Sequence, residues 1–120
     1  MMLEKIKLII WDMDDTFYEG NLEQNTVVIS DDRKDLINNL IDIGIQNSIC
    51  SKNKYDKLKE VLLTAGLWDD FIFPVINFED KKENIKIIIN CIHIQPQNIL
   101  FIDDNFYNRQ EVKYYIPELR

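Results

Sequence analysis

The segment that most constrains this chain is Lys7-Leu8-Ile9-Ile10-Trp11-Asp12-Met13-Asp14-Asp15-Thr16, an apolar run that ends in a cluster of carboxylates. A short, continuously apolar stretch bounded by acids has the pattern of a central strand in a parallel sheet, buried on both faces, with its C-terminal end facing a polar crevice. Open α/β sheets bind their ligands at that end. Three carboxylates within four positions, Asp12, Asp14 and Asp15, repel one another. A divalent cation, which as a hard ion takes oxygen ligands, is the natural compensation.

The apolar period along the rest of the chain alternates between short runs and helical stripes. Ile6 to Trp11 reads as the first strand, and residues 13–29 as a loop or small flap (17–29) with Gly20 and Asn21 at a turn. Ser30 is a good N-cap for a helix with Leu36, Ile37, Leu40 and Ile41 as its stripe, ended by Gly44. Ile45 to Cys50 is a second strand, and Asn53 is expected to cap a helix with the stripe Tyr55, Leu58, Leu62 and Ala65. Phe71 to Ile76 is a third strand, placed at an edge because Pro74 lacks an N–H. Ile85, Ile88, Ile89 and Ile92 define a third helix, Ile99 to Ile102 a fourth strand, and Phe106 to Tyr115 a last helix stopped before Pro117. Strands alternating with helices imply right-handed crossovers, hence a three-layer α/β domain spanning 1–120 with a parallel sheet of four to five strands. A fifth strand would come from the flap or the extreme C-terminus.

Composition limits the function classes. A formal net charge of −7 sets aside nucleic acid and anionic membrane surfaces as partners, which need a basic footprint. It leaves an anionic substrate open, because a bound cation reverses the local sign. Two cysteines, Cys50 and Cys91, suggest no disulfide framework, so a reducing cytoplasm is expected. No apolar run approaches the length of a membrane span, and the N-terminus lacks a signal-peptide pattern.

All strand C-termini of a parallel sheet share one edge. There the chain places Asp12, Asp14 and Thr16 after the first strand, Ser51, Lys52 and Asn53 after the second, and Asp103, Asp104 and Asn105 after the fourth, with Lys81-Lys82 just before the third helix. Each residue type has a use in phosphoryl transfer, where catalysis is mostly positioning and charge neutralisation. Asp12 is the candidate nucleophile, working through an aspartyl-phosphate. Asp14 is the candidate general acid and then base. Asp103, and Asp104 directly or through water, are expected to hold Mg²⁺ with Asp12, and Asp14 is counted among the candidate metal carboxylates. Ser51 donates to a phosphoryl oxygen and Lys81 supplies positive charge, with Thr16, Lys52 and Asn53 lining the phosphate site.

This order resembles the haloacid dehalogenase superfamily, whose phosphatases carry four motifs on a Rossmann-like sheet. Asp12-Met13-Asp14-Asp15-Thr16 matches the first motif, Ser51 the second, Lys81 the third and Asp103-Asp104 the fourth. Ile49-Cys50-Ser51-Lys52-Asn53, Lys81-Lys82-Glu83-Asn84-Ile85 and Phe101-Ile102-Asp103-Asp104-Asn105 are similar to the FkbH-like branch, and the first motif also to the superfamily's magnesium-dependent phosphatases. The resemblance implies a Mg²⁺-dependent phosphatase. Through the FkbH-like branch it alternatively implies a glyceryl transferase acting with a carrier protein. The chain departs from many superfamily members in leaving no room for a large cap domain, and the superfamily associates such an open site with macromolecular substrates or with a cap lent by a partner subunit.

Other readings are bland. Asp15 forms the turn, Thr16 supports the loop, and Trp11 and Trp68 pack. His93 closes a helix and Asp69-Asp70 is a solvated turn. Cys50 alternates with Ser51 and is expected in the core, with an acyl-accepting thiol as the alternative. A response-regulator receiver domain would need an acceptor aspartate after the third strand, where this chain has Val75-Ile76-Asn77, and a lysine after the last, where it has Asp103-Asp104. A non-catalytic binding module is the remaining alternative.

Overall fold

Strand β1 (Leu8–Trp11) lies in the interior of a four-stranded parallel sheet whose order is β3-β2-β1-β4. Its partners are β2 (Gln46–Ser51) on one side and β4 (Ile99–Ile102) on the other, with β3 (Val75–Ile76) at the edge. The computed structural model describes residues 6–120; residues 1–5 of the expected 1–120 domain lie outside the described residues. The chain steps from β1 outward to β3 and then returns to the far side of β1. Strand order therefore reverses between β1 and β4, the position where such sheets open a crevice.

The period-two alternation of β1 divides the interior into two layers. Ile9 and Trp11 pack with Ile49 against Ile37 of α1 (Asp31–Asp42) and Leu58 and Leu62 of α2 (Tyr55–Thr64). Leu8 and Ile10 pack with Cys50, Ile99 and Phe101 against Ile85 and Ile88 of α3 (Lys81–Ile92) and Val112 of α4 (Phe106–Tyr115). Each fully buried Ile or Leu stabilises the fold by about 1.5–3 kcal/mol relative to exposure. The helices end as their sequences dictate. Ser30 accepts from the Arg33 N–H to start α1, and His93 closes α3 in the left-handed conformation.

Two local readings are corrected. The third strand is two residues long rather than Phe71 to Ile76: Phe73 turns to φ 46° and Pro74 has no N–H, so the ladder is interrupted. The Ile72 N–H to Asn47 carbonyl bond of 2.7 Å and the Ser48 hydroxyl to Phe73 carbonyl bond of 3.0 Å hold that segment beside β2 instead. Asn53 does not cap α2, which starts at Tyr55 with Lys54 as N-cap and no side-chain bond; the Asn53 side chain turns to the end of β2, its amide donating to Ser51 Oγ. At the C-terminus the Arg120 N–H donates to the Ile99 carbonyl and the Phe101 N–H to the Arg120 carbonyl, a one-residue parallel pairing on the outer edge of β4. Among the described residues no helix is long and apolar enough to cross a membrane.

Cys50 is fully buried in the α3–α4 layer, and burial pushes its thiol up to about 12. That places it in the core and leaves the acyl-acceptor alternative without an accessible thiolate. Iodoacetamide at neutral pH is therefore expected to modify the exposed Cys91 alone in the folded protein, and both cysteines in denaturant, as read by intact-mass spectrometry.

Candidate active site

The pairing of β1 with β4 runs one residue past the strands, because the Asp12 N–H donates to the Ile102 carbonyl at 2.9 Å. That bond sets Asp12 and Asp103 side by side at the reversal point. Between them stands Lys81, the first residue of α3, whose ammonium donates to Asp12 Oδ1 at 2.7 Å and Asp103 Oδ2 at 2.6 Å. All three are buried. Lys82 points elsewhere, to Glu111 at 3.3 Å and Asp80 at 3.5 Å, so of the lysine pair it is Lys81 that enters the cluster.

Thr16 closes the other side. Its hydroxyl accepts from the Asp104 N–H at 3.0 Å and shares its proton between Asp12 Oδ2 at 2.9 Å and Asp104 Oδ1 at 3.0 Å. It thus joins the two carboxylate loops, where only a bond to its own loop was expected. Asp103 is held further by the Asn105 N–H at 2.9 Å and Asn108 Nδ2 at 3.2 Å, and Arg109 grips its carbonyl at 2.7 Å.

Asp14 follows Asp12 by two residues but leaves the cluster. The turn Met13–Phe17 carries Asp14 in extended backbone (φ −56°, ψ 126°) and Asp15 in the left-handed region (φ 55°). The Asp14 carboxylate accepts from Tyr18 OH at 2.6 Å, the Leu22 N–H at 3.1 Å and Asn53 Nδ2 at 3.3 Å. Asn53 also binds Ser51 Oγ at 2.9 Å, which brings the end of β2 to the same place. Asp15 is exposed and accepts from the Gly20 N–H, a turn-forming role. Gly20 has φ +93°, and a Cβ there would lie 2.0 Å from the Thr26 carbonyl oxygen, so the flap closes on a position that only glycine fits. Arg33 of α1 pins the turn from beneath, donating to the Phe17 and Thr16 carbonyls and stacking over Trp11.

Asp12, Asp103 and Asp104 each bring a carboxylate oxygen within 4.8 Å of the others, two buried and one exposed. Oxygen donors with one ligand open to solvent suit a hard divalent cation. Asp14, counted among the metal carboxylates from sequence, is outside this set because its oxygens are taken by Tyr18, Leu22 and Asn53. Burial raises Asp12 to about 6 despite Lys81 beside it. Burial also acts upward on Asp103, but the bonds from Lys81, Asn105 and Asn108 outweigh it and hold that carboxyl below its ordinary value. Burial, then the bond to Asp14, pushes the Tyr18 phenol well above its usual range, so it serves Asp14 as a fixed donor. Sequence reasoning places Tyr18 in the flap at the entrance of the site, without its bond to Asp14, and misses Arg33 and Asn108. Only Asn108 left a signal, since Asn105 stands at an N-cap three residues before it.

No family model matches the chain, and no curated protein matches it. Solved structures do. The N-terminal part of a Bacteroides fragilis protein, containing a phosphatase domain and complexed with Mg, superposes with a TM-score of 0.88 at 26% identity, covering 96% of this chain and 35% of that one. The cobalt-bound deoxy-D-mannose-octulosonate 8-phosphate phosphatase of Haemophilus influenzae gives 0.68 at 17% identity, over 84% of this chain and 60% of that one. L-2-haloacid dehalogenase of Xanthobacter autotrophicus gives 0.62 at 13% identity, over 80% and 69%. The chain thus spans about a third of the Bacteroides chain. This chain shares the haloacid dehalogenase-like fold with these structures, and among its described residues no large cap domain is present.

The raised Asp12 has a definite sign in linkage. A carboxyl whose folded value of about 6 exceeds its ordinary 3.8 favours the folded state while protonated, and that contribution is lost as pH rises through 6. A divalent cation competes with the same proton. Mg²⁺ is therefore expected to raise the melting temperature clearly at about pH 7.5 and much less at about pH 5, where the proton holds the site. Equal shifts at both would remove Asp12 from the metal set.

Proposed function

We propose that this chain, which has the fold of the haloacid dehalogenase superfamily phosphatases, is a divalent-metal-dependent phosphoric monoester hydrolase whose nucleophile is Asp12. The observation that carries the reading is the Lys81 ammonium set between Asp12 and Asp103 at the β1–β4 reversal, with Asp104 completing three convergent carboxylates. The Mg-complexed phosphatase domain that shares 26% identity with this chain supports it.

In this reading Lys81 on Oδ1 and Thr16 on Oδ2 fix the plane of the Asp12 carboxylate. An Asp12 oxygen attacks phosphorus, and the ester oxygen leaves with a proton from Asp14, forming an acyl phosphate on Asp12. Water then attacks the phosphorus while Asp14 takes its proton, which releases phosphate and restores the Asp12 carboxylate. Asp14 is suited to this exchange because the Tyr18, Leu22 and Asn53 donors hold it apart from the buried cluster. The Ser51 hydroxyl and the Lys81 ammonium bind phosphoryl oxygens, with Lys52 and Asn53 beside them. Mg²⁺ held by Asp12, Asp103 and Asp104 would screen the approach of a phosphate dianion to a carboxylate.

Hydrolysis of p-nitrophenyl phosphate in the presence of Mg²⁺ tests this. Asp12→Asn is expected to abolish it, EDTA to stop it until Mg²⁺ is restored, and Asp14→Asn to lower kcat by about 10²–10⁴-fold with the fold intact by circular dichroism. Undiminished turnover by the Asp12 variant would sink the nucleophile assignment.

A further inference from the structure

The wall of the site that carries Asp14 continues outward into a cleft of about 430 Å³. Lys52, Lys54 and Lys57 line it from the β2–α2 junction, Phe78 lines it from the loop before α3, and Glu23 of the flap is the one further acid on its wall. Phe78 is 69% exposed, an aromatic ring with no packing duty. Among the described residues none of the three lysines forms an ion pair, whereas Lys81, Lys82 and Lys86 all do.

Local structure gives these cations no reason to be there. Lys54 is the N-cap of α2 and Lys57 its third residue, positions where the helix dipole disfavours positive charge. Ser30 and Asn105 stand at the corresponding positions of α1 and α4 and cap them, while Lys54 caps nothing. The placement is more pointed in a chain whose net charge is −7.

From these observations we infer that the leaving group of the substrate is itself anionic, and that Lys54 and Lys57, with Lys52, recognise its negative group. The inference rests on the reading of Asp14 as the acid that faces the leaving oxygen, because that role directs the leaving group into the cleft Asp14 shares with the lysines. The substrate class is then a small phosphomonoester bearing a carboxylate or a second phosphate a few bonds from the ester, with Phe78 against its carbon skeleton. This deepens the proposed function by naming what is dephosphorylated.

A matched pair of substrates tests it: para-carboxyphenyl phosphate and its methyl ester, which differ in one charge. The native protein with Mg²⁺ is expected to show a kcat/KM for the carboxylate on the order of tenfold higher, expressed in KM, with the preference shrinking as salt is added. In Lys54→Gln/Lys57→Gln the ratio is expected to fall to about one, with the melting temperature unchanged or raised by relief of the helix dipole. A ratio near one in the native protein, or the same ratio in the double variant, would overturn the assignment. So would a preference confined to phosphopeptides with acidic flanks, since the cleft would then serve a macromolecule. Calorimetric binding of phosphonopropionate against propylphosphonate reads the same preference without turnover. Preference retained with no hydrolysis of any ester would overturn the phosphatase reading alone, and hydrolysis without preference would overturn the anionic subsite alone.

Discussion

The arrangement depends on one buried cation. Lys81 brings a positive charge from the first turn of α3 to the point where β1 and β4 end, and satisfies one oxygen of Asp12 and one of Asp103. Neither carboxylate has another cation within ion-pair distance among the described residues. Taking such charges out of water costs several kcal/mol per ion, and removing one partner of a buried pair commonly costs about 3–5 kcal/mol because the other is left unpaired. The trio is therefore a weak source of stability but a strong constraint on geometry. It fixes the start of α3 relative to two strand ends, and the Ile85 and Ile88 faces then fall onto the sheet.

The same logic explains why two aspartates separated by one residue serve different environments. Asp12 is fixed by the strand and by Lys81. Asp14 lies on the first extended residue of a turn whose next residue is left-handed, so the chain changes direction between them. Three donors from the flap and the end of β2 receive Asp14, and Arg33 and Gly20 hold that flap in place. The separation of a buried, raised Asp12 from an Asp14 held by donors of the flap and β2 follows from backbone geometry rather than from any difference in residue type.

Much of this was legible beforehand, for identifiable reasons. The strand-end carboxylates, Ser51 and the helix that Lys81 begins are marked by local periodicity and by the residue that follows each apolar run. That the strand C-termini share one edge followed from the alternation of strands with helices. What escaped was long-range or depended on competition between partners. Asn53 is a good helix cap by residue type, yet α2 starts one residue later with Lys54 at the cap position, and the Asn53 side chain turns to the site, where its amide donates to Ser51 and Asp14. Phe71 to Ile76 has strand composition, yet a left-handed Phe73 and an N–H-less Pro74 cut it to two residues. Arg33 acts across the fold, and nothing in its sequence neighbourhood announces it; Tyr18 reaches back only four residues to Asp14, a contact set by the turn between them.

Charge balance connects the two halves of the site. Asp12, Asp103 and Asp104 with Lys81 leave two negative charges, the charge that one divalent cation neutralises. On the proposed reading, a bound divalent cation would leave the inner site close to neutral, offering a phosphate dianion directed hydrogen bonds more than net attraction. Net attraction must come from elsewhere in a chain that carries −7 overall. The lysines along the Asp14 cleft, unpaired among the described residues, are where it can come from, on what the proposed role of Asp14 makes the leaving-group side. An acidic protein can thus gather an anion without a basic surface, provided that a few cations are left without carboxylate partners at the mouth of the site.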